Sequence, residues 1–138
     1  MKAQFHKKTF QFKKPSGTSR GVLTEKHAWF LEIWNEENPA TKGIGECSII
    51  PGLSPDFLHD SQYEGELKAL CTDLTRDLTD FPSIKFGLET ALLDLKNGCK
   101  GIIFNNDFAA GKQKLVINGL IWMGSESFMR EQIEQKIS

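Results

Sequence analysis

The chain has 138 residues, 39% of them hydrophobic and 25% charged, and a net charge of −1. That is enough chain for one packed core, and the near-neutral balance excludes an electrostatic nucleic-acid binder. Three cysteines without a close pair (Cys47, Cys71, Cys99) and three scattered histidines (His6, His27, His59) exclude a disulfide framework and a metal cluster, and fit a reducing cytoplasm. No apolar run is long enough to span a bilayer, and the first residues lack the apolar stretch of a signal peptide.

Ala3 to Phe12 alternates loosely and is rich in Phe and Thr, which predicts a strand. Its lysines (Lys2, Lys7, Lys8, Lys13, Lys14) suit an exposed edge, where they discourage unwanted pairing. Lys13 to Gly21 is read as a loop, because Pro15, Ser16, Gly17, Thr18 and Ser19 are all turn formers. The hydroxyls of this loop and Arg20 allow two readings. One is a solvated hairpin tip. The other is a clamp for an anionic group, since guanidinium binds carboxylate through two hydrogen bonds.

Val22 to Trp34 carries the clearest strand pattern. His27, Trp29, Leu31 and Ile33 fall on one face, and Ala28, Phe30, Glu32 and Trp34 on the other. Apolar groups on both faces point to a central strand or one covered on both sides. Asn35 to Thr41 is a polar turn. Lys42 to Cys47 returns as a third strand and completes an antiparallel meander. Gly43 and Gly45 leave one face of that strand bare, so another backbone or a ligand can come close.

The run Gly43 to Pro55 is the hinge of the sequence. After Ile49-Ile50, Pro51-Gly52 fits a turn whose second central residue needs positive φ. Ser54-Pro55-Asp56 reads as helix N-cap, N1 proline and first-turn acid. Such a corner is either an ordinary strand-to-helix connection or the stiff apolar wall of a small-molecule pocket. Glu46 reads as a brace of the strand end.

Beyond it the period turns helical. Tyr63, Leu67, Leu70/Cys71, Leu74 and Leu78 form one stripe, with Asp60 or Ser61 as the cap and Phe81-Pro82 as the break. A second helix, capped by Ser83, carries Ile84, Leu88, Ala91/Leu92 and Leu95 and stops at Asn97-Gly98. Glu89 and Asp94 sit five positions apart, well separated around that helix, and read as solvated or structural. Residues 104–114 form a linker. Leu115 to Gly124 is nearly continuous apolar sequence and predicts a strand buried on both faces, as in a parallel sheet or barrel. Ser125 opens a last helix with Phe128/Met129, Gln132/Ile133 and Ile137 facing inward. The expected organisation is an α+β domain over 1–103, a three-stranded antiparallel meander followed by a helical bundle. A linker and one β-α unit of a truncated barrel (115–138) follow.

These motifs, in this order, resemble the N-terminal part of the enolase superfamily, in its muconate-lactonising-enzyme-like subgroup. GECSIIPGLSPD, TSRGVL and VINGLIWMG carry the match, and within the subgroup they look most like the o-succinylbenzoate synthases. The resemblance implies a cap over a (β/α) barrel, with two cap loops, Lys13–Val22 and Cys47–Leu53, lining the substrate pocket. Thr18, Ser19, Arg20, Ile50, Pro51, Gly52 and Leu53 would then bind a small anionic substrate. Arg20 would face its charge, and the second loop would shape an apolar wall that keeps out water. The reaction implied is loss of water from a succinyl-bearing cyclohexadiene carboxylate in menaquinone biosynthesis. A barrel lysine would take the proton and Mg2+ would stabilise the enediolate. No catalytic residue or metal ligand of that kind falls in this chain, Lys112 and Lys114 included, so the chain alone is expected to be inactive. An acylamino-acid racemase or dipeptide epimerase of the same subgroup is the neighbouring reading. A reading of another class is a stand-alone binding module that docks on a barrel in trans, or self-associates through 115–122. No nucleic acid or membrane partner is expected.

Overall fold

The computed structural model describes residues 1–18 and 20–137. Three strands, β1 (Lys2–Thr18), β2 (Gly21–Trp34) and β3 (Gly43–Ser48), form one antiparallel sheet in the order β1-β2-β3. Helices α1 (Asp60–Thr72) and α2 (Pro82–Lys96) pack with it, and α3 (Glu126–Ile137) follows. The α+β meander expected from the sequence is therefore present, with β2 in the centre.

Lys13 to Gly21 is not the loop expected. β1 continues to Thr18 and pairs with β2 down to Thr18↔Gly21, with one register irregularity between Gln11 and Ser16. A bulge absorbs the turn-forming residues without ending the ladder. β3 pairs only with Ala28–Ile33 of β2. The distal half of the hairpin therefore projects beyond the sheet as a two-stranded ribbon.

The odd positions of β2 point to the helices. Trp29, Leu31 and Ile33 are fully buried there with Cys47, Ile49, Tyr63, Leu67, Leu70, Ile84 and Ala91. Trp29, Phe57 and Tyr63 form an aromatic cluster, with the Trp29 and Tyr63 ring centres 4.8 Å apart. Burial pushes the Cys47 thiol up to about 12, which removes its reactive thiolate form.

The bare face of β3 is used by backbone. A Cβ on Gly45 would lie 1.8 Å from the Gly87 carbonyl oxygen, and one on Gly43 would lie 2.1 Å from that of Ala91. Helix α2 thus rests directly on the strand. Gly87 completes the contact, since a Cβ there would meet Cys47 Sγ at 2.3 Å. Asp94, also buried, accepts hydrogen bonds from the Ile44 N–H (3.1 Å) and the Gly101 N–H (2.9 Å). It is structural, and Glu89 is exposed.

Three helix signals shift. The cap of α1 is His59, whose Nδ1 accepts the Gln62 N–H at 3.1 Å, not Asp60 or Ser61. An imidazole nitrogen here does the work of the usual cap oxygen. The leucine stripe does not stay helical to Leu78. Asp73 and Asp77 each accept the N–H and hydroxyl of the threonine two residues on, and these turns outcompete the helix. Leu78 is nonetheless buried and Leu74 packs against the core. Helix α2 begins with Pro82 at N1 after Phe81, and Ser83 is not its cap. Its end is as expected, with Gly98 at φ +85° after Asn97.

Residues 115–124 form no strand ladder among the described residues, and α3 buries no side chain. Val116 and Ile117 are almost wholly exposed. An apolar run becomes a buried strand only beside neighbouring strands, and the described residues offer it a single backbone bond, from the Met123 N–H to the Gly17 carbonyl. Ser125 does cap α3, accepting the Phe128 N–H at 3.3 Å. The faces Phe128/Met129, Gln132/Ile133 and Ile137 have no core beneath them.

Candidate functional site

Two features meet at one corner of the sheet. The first is the segment after β3. The Leu53 N–H donates to the Ile50 carbonyl at 3.0 Å and Gly52 has φ +76°, as the Pro-Gly pair requires. Ser54 then clamps the turn. Its N–H donates to the Ile50 carbonyl at 3.0 Å, and its Oγ accepts the Ile50 N–H at 3.0 Å. No helix starts at Ser54, so the N-cap reading of Ser54-Pro55-Asp56 is corrected. The serine hydroxyl is spent inside the turn.

The second feature is the root of the projecting ribbon. Phe12 of β1 and Leu23, Glu25, Lys26 and His27 of β2 enclose, with Ile49, Ile50 and Pro51, a mainly apolar pocket of about 170 Å³. His27 gives it a polar side. Its Nδ1 lies 2.9 Å from Thr9 Oγ1 and its Nε2 lies 3.6 Å from Glu25 Oε1. Glu25 is itself held across the ladder by Gln11 at 2.9 Å. Lys26 lies 3.6 Å from Glu46 of β3, a partly exposed ion pair beside the pocket.

Of the residues singled out in the sequence, Ile50 and Pro51 line this pocket; Gly52 and Leu53 form the exposed outer side of the turn. Thr18 and Arg20 do not line it. The Thr18 hydroxyl donates to the Gly21 carbonyl at 2.9 Å and accepts the Arg20 N–H at 3.2 Å, so it closes the hairpin turn. Arg20 is exposed at the tip, and among the described residues its guanidinium carries no ion pair. Ser19 lies outside the described residues.

No protein-family profile matches the chain. The o-succinylbenzoate synthase of Desulfotalea psychrophila is 35% identical to it over an alignment of 176 residues that takes in the whole chain. An enolase family member from Agrobacterium tumefaciens with homology to dipeptide epimerases, solved with sodium and L-Ala-L-Glu bound, superimposes with a TM-score of 0.68. It is 19% identical and aligns with 96% of this chain and 42% of its own. This chain belongs to the enolase superfamily. It spans 46% of the Desulfotalea synthase, about half that relative's length. The o-succinylbenzoate synthase of Thermosynechococcus elongatus BP-1, solved with Mg in the active site, is 24% identical. It aligns with 57% of this chain and 22% of its own at a TM-score of 0.41.

For an enolase-superfamily chain the absence of carboxylate clusters matters. Among the described residues no three His, Cys, Asp or Glu side chains come together to hold a metal ion. The carboxylates of the described residues are dispersed and do not assemble a Mg2+ site. No helix among the described residues is long and apolar enough to cross a membrane. His27, Glu25, Phe12 and Leu23 went unnoticed in the sequence as pocket residues. Their place in the pocket depends on where β3 stops covering β2, at Ala28, which the sequence of β2 does not report.

Proposed function

We propose that this chain is the capping portion of an o-succinylbenzoate synthase. In this reading it closes over a (β/α) barrel that catalyses loss of water from a succinyl-bearing cyclohexadiene carboxylate, a lyase reaction of menaquinone biosynthesis. The observation that carries it is the 35% identity to the Desulfotalea synthase along the whole chain. The barrel's proton-abstracting lysine and Mg2+ belong to sequence that this chain does not match, and no step is routed through them here. The chain's own part is to bind and to exclude water. Ile50 and Pro51 supply a rigid apolar wall, and Gly52 and Leu53 its outer edge. Thr18 and Arg20 stand at the tip of the ribbon, Ser19 is assigned to substrate binding from the resemblance alone, and in this reading the exposed Arg20 guanidinium pairs with a substrate carboxylate. The three free thiols suit a reducing cytoplasm.

The test is a chimera. The chain replaces the matching half of the Desulfotalea synthase, and the product is assayed with Mg2+ on the succinyl-bearing cyclohexadiene carboxylate and on dipeptides. Dehydration by the chimera, with none by the 138-residue chain alone, is the expected result. A folded chimera that epimerises dipeptides and does not dehydrate, or a chain that turns over unaided, refutes the reading.

A further inference from the structure

The Ile50–Leu53 wall hangs between β3 and a buried acid. Asp56 lies two residues beyond Ser54 and is 6% exposed. Its Oδ2 accepts the Ser83 N–H at 2.9 Å and the Ser83 hydroxyl at 2.6 Å. The same Ser83 hydroxyl lies 2.5 Å from the Tyr63 hydroxyl. Tyr63 is fully buried in α1, and burial raises its phenol above the ordinary value. Ser83 is the second residue of α2, so a carboxylate stands at the positive end of that helix and takes one of its unpaired N–H groups. The turn is thus tied to β3 at Ile49, fully buried, and to both core helices through Asp56.

We propose that Asp56 is a positioning residue: through Ser83 and Tyr63 it fixes the Ile50–Leu53 turn against the ribbon and so sets the shape of the substrate pocket. Two features single it out from a cap that merely stabilises α2. The acid comes from the loop and not from the residue preceding the helix, so its hydrogen bonds cross 27 residues of sequence. Between Ser54 and Asp56 there is only Pro55, whose ring fixes φ. Little slack remains to decouple a movement of Asp56 from the turn.

The kinetic consequence rests on the synthase reading, so the test has two arms. In the barrel-bearing chimera, Asp56→Ala and Asp56→Asn are compared by amide exchange without substrate, then by KM and kcat on the succinyl-bearing cyclohexadiene carboxylate. Asn keeps an oxygen acceptor for the Ser83 N–H; Ala does not. Asp56→Ala is expected to speed exchange at the Leu53 and Ser54 amides about tenfold, the size of one lost charge-assisted hydrogen bond. Exchange at Leu31 and Leu67 stays as in the parent, and Asp56→Asn restores most of the protection. KM rises about tenfold while kcat changes little, as loss of a binding wall requires. Ser83→Ala, which keeps the backbone cap and loses the hydroxyl, gives a smaller rise in the same amides and serves if Asp56→Ala does not fold. Unchanged loop exchange, or equal acceleration at Leu31 and Leu67, overturns the proposal. If loop exchange responds as expected and the parent chimera shows no dehydration, Asp56 keeps its positioning role and the synthase reading fails.

Discussion

The first hundred residues and the last thirty-five have similar patterns in sequence and opposite fates in space. Leu31 and Ile33 are wholly buried, whereas Val116 and Ile117 are almost wholly exposed. Intrinsic preference does not separate them, for all four belong to β-favouring runs. What separates them is the presence of a partner. β2 has β1 and β3 on its flanks and two helices on its face; among the described residues, 115–124 make one backbone bond to the edge of β1 at Gly17 and two hydrogen bonds between the Trp122 backbone and the Gln132 side chain of α3. Apolar sequence states a demand for burial, and the neighbours decide whether it is met.

The sharpest way to break this contrast is to cut one large side chain from each region. Trp29→Ala removes the centre of the aromatic cluster and the hydrogen bond from its Nε1 to Glu64. It is expected to destabilise by about 3–5 kcal/mol in urea unfolding. Val116→Ser is expected to change stability by less than about 0.5 kcal/mol. A comparable loss at both sites would show that the exposed run is packed after all.

Glycines offer a second, smaller version. Gly45→Ala puts a methyl into the α2 backbone and is expected to cost about 1–3 kcal/mol or more. Gly119→Ala meets only the Cδ of Lys136, at 3.3 Å, and should be nearly silent. Equal thermal midpoints for the two variants would remove the claim that helix α2 touches β3 through bare backbone.

The smallest effect concerns the open face of the sheet. Glu32 is held below the ordinary carboxylate value of 4.5 chiefly by its hydrogen bond with Lys42 at 2.7 Å, aided by Gln4 and His6. A carboxyl lowered by folding stabilises the native state above its unfolded value and loses that contribution as pH falls through the folded one. Glu32→Gln should therefore flatten the acid side of the stability profile below about pH 4.5 and leave the neutral limb parallel. An unchanged acid slope would show that this ion pair is too well solvated to matter.

The sequence told most where chemistry is local. The alternation of β2, the positive φ of Gly52 and the stop at Gly98 could all be read from neighbouring residues. It told least where a competing contact decides. Asp73 and Asp77 cap their own turns and cut short a helix whose leucine stripe continues. A bulge lets β1 run through Pro15, a residue that by itself signals a break. The close approach left open at Gly43 and Gly45 was settled by the α2 backbone at Ala91 and Gly87, more than forty residues away. Two of the eight residues around the corner pocket, Ile50 and Pro51, stood out in the sequence because they sit in a turn with its own signature. Phe12, Leu23 and His27 became pocket residues only because β3 ends early, and no periodicity in β2 reports the length of its neighbour.

The irregularity between Gln11 and Ser16 has a consequence for how such a protein diversifies. A bulge raises local twist and turns the ribbon beyond it relative to the sheet behind. It therefore acts as a steering joint. One residue gained or lost between Phe12 and Pro15 would re-aim Thr18 and Arg20 without disturbing Trp29 or its neighbours. Reach and direction at the tip can then drift while the foundation stays the same.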